Sequence, residues 1–384
     1  MRAWSPLAVL AVLLAGCRSD TNVPHRRDAG TFDAEADVPT PVEDAGADAV
    51  DEDAGVDAGT SCPCPTLPSS CTPPPVGEPA FGPDSAAYDG LLLGTFACAE
   101  RTLRIAIYEA AGECIPTNLR TRLETAPELR VEIVFDDEQC PRGMDGRLGC
   151  GLALLEGHPR VALRPDDRSA LMHHKWVIED DERVWVASGN FSNRSFCTDH
   201  NDAIVIDRGP IVDAYEAQFA RMFRDGQFGP TPPAEPVADG PFRVHFGPQS
   251  PIDEPPAWFR QMIERIGAAR TSVDAMINAF TRTEVSDALI AAHMRGVRVR
   301  VVVSSMYVRE AAVQALIASG VPVRLATMHS KVLVVDEAFV VAGSANWSMS
   351  AWRNNENVLF IEDAALARRY AARAAEVFAS ARAP

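Results

Sequence analysis

Hydrophobic and polar positions follow two different periods from about residue 82 onward. Short alternating stretches, such as 297–303 with arginine and valine in turn, predict β-strands. Longer stretches with hydrophobic residues three and four apart, such as 211–223 and 283–295, predict amphipathic helices. Strands and helices therefore alternate along the chain, which predicts an α/β fold.

The order of these elements occurs twice. Each half begins with a strand (103–108 and 272–280), continues with a helix and several strands, and ends with a helix (211–223 and 364–379). We therefore predict two similar α/β/α lobes that form a pseudo-twofold pair with one active site between them. The predicted boundaries place the first lobe at 81–228, a proline-rich, acidic linker at 229–240 and the second lobe at 241–384.

The first 17 residues predict an export signal. Arg2 is followed by an apolar run at 7–14, which is too short to span a bilayer. The sequence Leu-Ala-Gly-Cys at 14–17 resembles the lipobox of bacterial lipoproteins, and the resemblance implies that Cys17 carries a lipid. The protein would then be exported and lipid-anchored to the bacterial cell envelope. An ordinary signal peptide that contains a cysteine is the alternative.

Charge is concentrated in the segment that follows. Residues 18–60 hold twelve acidic and three basic side chains and repeat Asp-Ala-Gly four times, whereas the whole chain has a net charge of −17. A segment with so few large hydrophobic residues cannot offset its ordering entropy, so we predict a disordered, acidic and proline-rich tether at 18–80. The acidic balance argues against a general affinity for nucleic acid or anionic membranes.

Nine cysteines indicate an oxidising compartment. Without Cys17, eight remain, and an even number in an exported chain predicts disulfides. None lies beyond Cys197. Cys62 and Cys64 have the spacing of a metal-ligand pair, but no second pair or nearby histidine completes a zinc site, so we predict no metal.

Each predicted lobe contains one copy of a polar motif. In both copies a histidine and a lysine are two residues apart, and four residues separate the lysine from an aspartate. A Ser-x-Asn sequence follows, and then an asparagine next to an acid. The first copy comprises His173, Lys175, Asp180, Ser188, Asn190, Asn201 and Asp202. The second copy comprises His329, Lys331, Asp336, Ser344, Asn346, Asn355 and Glu356.

The two lysines of these motifs are the only lysines in the chain, although it has 36 basic residues. A chain that otherwise uses arginine has lysine at two matched positions, which indicates a need for a compact point charge. Residues i and i+2 of a strand point to the same face, so each histidine and its lysine would face one point. Two imidazoles and two ammonium groups around one point suit a phosphate group.

These residues resemble the H-x-K-x4-D motif of the phospholipase D superfamily, and the resemblance covers most of residues 82–384. It implies catalysis without a cofactor by His173, Lys175, His329 and Lys331, in which one histidine attacks phosphorus and the other protonates the leaving oxygen. We expect Ser188, Asn190, Ser344 and Asn346 to bind phosphate. The resemblance implies that Asp202 and Glu356 orient the histidines and that Asp180 and Asp336 are structural. Which histidine is the nucleophile stays open, and the resemblance favours His173.

Three functions fit the sequence. The first is a hydrolase of phospholipid headgroups, which a membrane anchor would bring to its substrate. The second is a metal-independent nuclease, for which nucleic acid would be the partner. It would need a basic groove, which Arg298, Arg300 and Arg324 could supply locally, but the acidic charge of the chain disfavours polyanions. The third is a non-catalytic envelope lipoprotein, against which two complete motifs argue. We expect a monomer, since both half-sites lie in one chain.

Overall fold

The computed structural model describes residues 63–83, 86–207 and 209–384. The predicted signal peptide, Cys17 and the first part of the predicted tether lie outside these ranges. Within the described residues, no helix is long and apolar enough to cross a membrane.

The N-terminal part forms a seven-stranded sheet with the order β1-β7-β6-β5-β2-β3-β4. Its strands are β1 (Ala80–Phe81), β2 (Thr102–Ile107), β3 (Arg130–Phe135), β4 (Val161–Pro165), β5 (Lys175–Glu179), β6 (Arg183–Ala187) and β7 (Asp202–Asp207). Its helices are α1 (Ala86–Cys98), α2 (Cys114–Thr125), the short α3 (Asn193–Cys197) and α4 (Pro210–Phe223).

The C-terminal part forms an eight-stranded sheet with the order β12-β11-β10-β13-β14-β15-β9-β8. Its strands are β8 (Val237–Asp239), β9 (Phe242–Phe246), β10 (Ser272–Ile277), β11 (Arg298–Ser304), β12 (Val323–Ala326), β13 (Lys331–Val335), β14 (Phe339–Gly343) and β15 (Asn357–Ile361). Its helices are α5 (Ala257–Ala268), α6 (Thr283–Met294), α7 (Ala311–Ala318) and α8 (Ala364–Ser380).

The two sheets share one topology. In each, three parallel strands (β2, β3, β4 and β10, β11, β12) are continued by an antiparallel series that starts with the strand of the H-x-K motif. The prediction of a mixed α/β fold with two similar lobes is confirmed. Most residues of the central strands are hydrophobic and buried, because packing covers both faces of each sheet.

The hydrophobic core has three layers. One cluster lies on the outer face of the first sheet and another on the outer face of the second. The third lies between the sheets and combines residues of both lobes around α4 and α8, including Tyr215, Phe219 and Tyr370. Continuous packing across the pseudo-twofold axis fixes the two motif strands relative to each other.

The segment before β1 packs against the first lobe, although the sequence places it in the tether. Disulfides join Cys64 to Cys114 and Cys71 to Cys98, and the backbone N–H of Gly77 donates to Val205 at 2.8 Å. A chain that is cross-linked twice within a few residues loses the freedom that its proline-rich, polar composition otherwise predicts. A third disulfide joins Cys140 and Cys150, and Cys197 is also disulfide-bonded.

The predicted linker, 229–240, contains β8 near its end. This strand pairs with β9 and extends the second sheet. Thr231 forms a bridge with Gln249, so the proline-rich stretch also follows the surface of the second lobe.

Candidate active site

Each H-x-K motif lies at the start of the central antiparallel strand of its sheet. Lys175 opens β5 and Lys331 opens β13, with the histidine two residues earlier. Both lysines and both histidines are at most 4% exposed. Each ammonium group donates to the backbone oxygen of its own histidine, at 2.9 Å in the first motif and 2.6 Å in the second. The two-residue spacing thus places histidine and lysine on one side of the strand.

The segments that carry the histidines cross between the lobes. Met172 pairs with Asn355 and Met328 pairs with His200, in two matching parallel bridges. The backbone N–H of His173 donates to Asn355 at 3.0 Å, and that of His329 donates to His200 at 3.1 Å. Each histidine therefore lies against the other lobe, where the third antiparallel strand begins.

His173 is paired with a carboxyl group of the second lobe. Its Nδ1 lies 2.8 Å from Oε1 of Glu356 and 3.0 Å from Oε2. Burial raises the pKa of Glu356 to about 7, although the charge of Lys175 opposes the shift. Burial and the charges of Lys175 and Lys331 lower the pKa of His173. The role predicted for Glu356, to orient a histidine, agrees with this contact and remains a prediction.

His329 has an amide at the matching position. Its Nδ1 lies 3.1 Å from Oδ1 of Asn201. Burial and the charges of both lysines lower the pKa of His329. Nε2 of His329 is buried and has no hydrogen-bond partner within the described ranges.

The sequence comparison of Asn201-Asp202 with Asn355-Glu356 is wrong by one residue. The bridges align His200 with Asn355, so Asn201 matches Glu356 and Asp202 matches the next residue, Asn357. The backbone confirms the shift, because the N–H of Ser188 donates to Asp202 and that of Ser344 donates to Asn357, both at 3.0 Å. In the first copy the asparagine precedes the acid, as Asn201-Asp202. At the matching positions of the second copy the acid precedes the asparagine, as Glu356-Asn357.

Asp202, which the resemblance expects to orient a histidine, is therefore not the partner of Nδ1 of either His173 or His329. Its carboxyl group faces the hydroxyl of Ser330, and burial raises its pKa to about 6. In the other half, Asn357 faces Nδ1 of His174 at 3.3 Å and donates to the hydroxyl of Tyr215 at 3.1 Å. Asp202 and Asn357 therefore occupy matching positions, each at the first residue of its strand and each within hydrogen-bonding contact of polar side chains.

The motif serines donate to the groups behind the histidines. Ser188 donates to Oδ1 of Asn201 at 2.9 Å, and Ser344 donates to Oε2 of Glu356. Each hydroxyl also accepts the backbone N–H of the residue that opens the next strand, at 3.0 Å. These contacts hold the amide and the carboxyl group in place. The phosphate-binding role of the two serines remains a prediction.

The motif asparagines differ in their partners. Nδ2 of Asn190 donates to the buried Glu109 at 3.0 Å, whereas Oδ1 of Asn346 accepts the backbone N–H of Ala279 at 3.2 Å. Asn346 lines a narrow cavity of about 10 Å³ together with His173, Tyr108 and Tyr307. The phosphate-binding role of both asparagines remains a prediction.

Asp180 and Asp336 lie away from the cavity, at tight turns with φ of 52° and 53°. Asp180 accepts the backbone N–H groups of Arg101 and Thr102 at 2.8 and 2.6 Å. Asp336 accepts those of Thr271 and Ser272 at 2.8 and 3.0 Å. Each carboxylate fastens the start of the first parallel strand of its lobe to the turn after the motif strand.

Several residues at the site lie outside the repeated motif and were not predicted from the sequence. Tyr108, whose ring centroid lies 4.9 Å from that of His173, and Glu109 follow β2, and Tyr307 follows β11. Asn201 could have been found by testing a one-residue shift of the repeat. In the described ranges, no group of three or more His, Cys, Asp or Glu side chains is arranged to hold a metal ion.

Comparisons with known proteins agree with the fold and its duplication. The family model for cardiolipin synthase, PLD-like domain, matches residues 92–223 and 262–378. A mitochondrial cardiolipin hydrolase of Danio rerio is 35% identical over 120 residues, which are 29% of this chain and 53% of the relative. A phospholipase D of Rickettsia prowazekii is 35% identical over 127 residues, 30% of this chain and 60% of the relative.

The chain therefore spans only about half the length of the curated relatives it matches. Among solved structures, a phosphatidylserine synthase of Haemophilus influenzae superposes with a TM-score of 0.57 and 14% identity. The superposition covers 78% of this chain and 86% of that structure, so both lobes share its fold. Because the family model matches each lobe separately and together more than half of the chain, the protein belongs to the family of the cardiolipin synthase, PLD-like domain.

Proposed function

We propose that the protein is a phosphodiesterase of the phospholipase D type that hydrolyses phospholipid headgroup phosphodiesters. The observation that carries the proposal is the approach of two buried His–Lys pairs from different lobes. The charges of Lys175 and Lys331 both act on His173 and on His329, so the four groups lie near one another. Two ammonium groups there would neutralise a phosphodiester and the charge that develops during its cleavage.

In the first step, Nε2 of one histidine attacks phosphorus, and a P–N bond forms while the bond from phosphorus to the leaving oxygen breaks. The other histidine gives the proton on its Nε2 to that oxygen, so the headgroup leaves as an alcohol. As the family resemblance favours, His173 is the attacking residue and His329 the acid. Glu356, 2.8 Å from Nδ1 of His173, would stabilise the positive ring of the phosphohistidine.

In the second step, water attacks phosphorus and the P–N bond breaks. The acid histidine, now neutral, accepts the proton from water and returns to its starting state. The products are phosphatidic acid and the free headgroup alcohol. The motif lysines supply the charge that a metal ion would otherwise supply, so we expect turnover to continue in a chelator.

Phospholipid is the proposed substrate for two reasons. The chain has a net charge of −17, and a polyanion such as DNA would be repelled by it unless a basic groove compensated. The similar proteins of Danio rerio and Rickettsia prowazekii bear the names mitochondrial cardiolipin hydrolase and phospholipase D. We also propose that Cys17 is lipidated in the cell envelope, which would hold the enzyme at a phospholipid surface.

The experiment offers the full chain mixed phospholipid vesicles and, separately, single- and double-stranded DNA and RNA, all in chelator. The His329→Ala variant serves as the inactive control. The His293→Ala variant, changed on α6 outside the site, serves as the matched control. We expect released headgroup and phosphatidic acid with the wild type and with His293→Ala, and none with His329→Ala.

Cleavage of nucleic acid with intact lipid would replace the phospholipid substrate by a nuclease function at the same site. Product from neither substrate class would contradict the proposal and favour a non-catalytic envelope protein. For the anchor, cells would be fed an alkynyl fatty acid. Label that is present on the wild type and absent from Cys17→Ser would support lipidation, and an unlabelled wild type would refute it.

A further inference from the structure

The two histidines of the site have chemically different partners. Behind His173 is the carboxyl group of Glu356, and behind His329 is the amide of Asn201, although the two partners occupy matching positions. Lysine, serine and asparagine occupy the same motif positions in both half-sites. The Nδ1 atoms of the two histidines therefore face different chemical groups, an amide at His329 and a carboxyl group at His173.

The contacts of Asn201 fix the orientation of its amide. Its Nδ2 donates to the backbone oxygen of Ser195 at 3.1 Å, so its Oδ1 faces the other way. That oxygen accepts from the hydroxyl of Ser188 at 2.9 Å and lies 3.1 Å from Nδ1 of His329. Because an amide oxygen only accepts, Nδ1 of His329 carries a proton, and the lone pair of the neutral ring is on Nε2.

An amide and a carboxylate stabilise a positive ring to different extents. A nearby carboxylate favours the charged form of a histidine by Coulomb attraction, whereas a neutral amide has only its dipole. Lys331, whose Nζ lies 3.4 Å from Nδ1 of His329, and Lys175 oppose a charge on that ring. The same lysines oppose a charge on the ring of His173, so it is the neutral amide partner that distinguishes His329 and lets it return more easily to the neutral state.

The two steps of the reaction need this difference. A histidine that bonds to phosphorus through Nε2 keeps its Nδ1 proton, and its ring is positive for as long as the intermediate exists. A histidine that acts as acid and then as base is positive only before the first step, and it must be neutral to accept a proton from water. A carboxyl group that can ionise beside the positive ring suits the first role, and an amide suits the second.

We infer that Asn201 is a positioning residue that fits His329 for the acid–base role that the proposed function gives it. The inference rests on the proposed function, because it assigns roles within the same two-step reaction. Gly189 supports it from the other side of the amide, since a Cβ there would lie 3.1 Å from Nδ2 of Asn201. Glycine at position 189 thus leaves space for the amide of Asn201. The matching position of the second lobe is Ala345.

The test uses a chromogenic phosphodiester whose leaving group departs without a proton, and the full chain. With this substrate, we expect His329→Ala to accumulate a phosphohistidine at position 173, detected by mass spectrometry of the quenched protein. His173→Ala should form none. A phosphorylated His329 in either the wild type or His173→Ala would overturn the assignment.

The second arm measures kcat against pH with a phosphodiester that has a poor leaving group. Asn201→Asp places a carboxylate behind His329, so the limb of the profile that belongs to the acid should move up by about one pH unit. Asn201→Ala should lower kcat by roughly tenfold or more with little change in KM. Glu356→Gln should lower kcat without moving that limb.

The outcomes separate the two ideas. If the wild type cleaves no phosphodiester at all, the proposed function fails. If the wild type is active and the pH profile of Asn201→Asp is unchanged, the positioning role of Asn201 fails while the proposed function stands. If Asn201→Asp does not fold, the Asn201→Ala profile decides, because loss of a merely structural contact would not separate kcat from KM.

Discussion

Gly189 packs so closely on Asn201 that a Cβ atom at position 189 would lie 3.0 Å from Cγ of the asparagine. The same Cβ would overlap the hydroxyl of Tyr88, which belongs to α1. The Ser-x-Asn motif after β6 therefore has no room for a side chain at position 189. The position of the Asn201 amide, which faces His329, depends on the absence of that side chain.

We predict that Gly189→Ala displaces Asn201 and lowers kcat by about tenfold or more, because His329 loses its fixed acceptor. The matched control is Ala345→Gly, which opens space at the equivalent position of the second lobe and should keep most of the activity. Steady-state kinetics of both variants, with near-UV circular dichroism to check the fold, would measure the difference. Equal activity of the two variants would contradict the prediction.

The two buried lysines of the site predict that substitution by arginine lowers activity. Lys175 and Lys331 are at most 1% exposed, and each ammonium group donates to a histidine carbonyl in a closely packed space. The planar guanidinium group is larger and cannot take the same place, so Lys175→Arg and Lys331→Arg should each lower kcat by roughly a hundredfold. Arg368→Lys on the exposed side of α8 is the matched control and should behave as the wild type. Wild-type rates with both arginine variants would refute a point-charge role.

Two carboxyl groups predict how stability depends on pH. Asp136 and Asp166 follow the neighbouring parallel strands β3 and β4 and are at most 5% exposed. Burial, together with the charge of Asp136, raises the pKa of Asp166 to about 8. Burial also raises the pKa of Asp136 to about 6, although the N–H of Met172 donates to it at 2.9 Å.

A raised carboxyl pKa means that the folded state keeps a proton that the unfolded state has lost. The free energy of unfolding should therefore fall as the pH rises from about 4 to about 8. Asp166→Asn keeps the oxygen that accepts the N–H of Asp137 at 3.1 Å but cannot ionise. It should be more stable than the wild type at pH 8 by roughly 1–3 kcal/mol, with little difference at pH 4. Urea unfolding at both pH values would test this, and a constant difference would count against it.

Most strands and helices could be predicted from the hydrophobic pattern. Strands that are buried on both faces appear as short hydrophobic stretches, and helices with one buried face show hydrophobic residues three and four positions apart. It does not predict α1, Ala86–Cys98, which is buried along most of its length and so has no polar face to give a helical period. It also omits β9 and α5, although each occupies the place in the second lobe that β1 and α1 occupy in the first. Because neither β1 nor α1 was predicted in the first lobe, the repeat could not indicate their counterparts in the second.

At the site, the His–Lys pairs could be predicted from the sequence, but the partners of the histidines could not. The spacing within a strand fixes which side chains share a face, so the His–Lys pairs follow from the sequence. The partners of the histidines come from the other lobe, and their identity depends on a register that differs by one residue from the best match of letters. Asn201 and Asp202 are adjacent and both polar, so only the backbone bridges decide which of them faces His329.

The motif aspartates predict an effect on stability that leaves catalysis unchanged. Burial would raise the pKa of Asp336, but the N–H groups of Ser272, Thr271 and Arg270 outweigh it, and the pKa is lowered. Asp180 holds the matching turn of the first lobe with the same kind of contacts. Removing either carboxylate leaves several N–H groups without their acceptor, so Asp180→Ala and Asp336→Ala should each cost about 1–3 kcal/mol of unfolding free energy.

Both alanine variants should keep a wild-type kcat at temperatures where they remain folded, because neither aspartate lines the cavity. Since a lowered pKa stabilises the fold only while the group is ionised, the contribution of Asp336 should disappear as the pH falls below about 4. Thermal melts at pH 7 and at pH 3 would measure this, and the difference between the wild type and Asp336→Ala should shrink at the lower pH. A large loss of kcat in the folded variants would instead show that the motif aspartates act on the reacting groups.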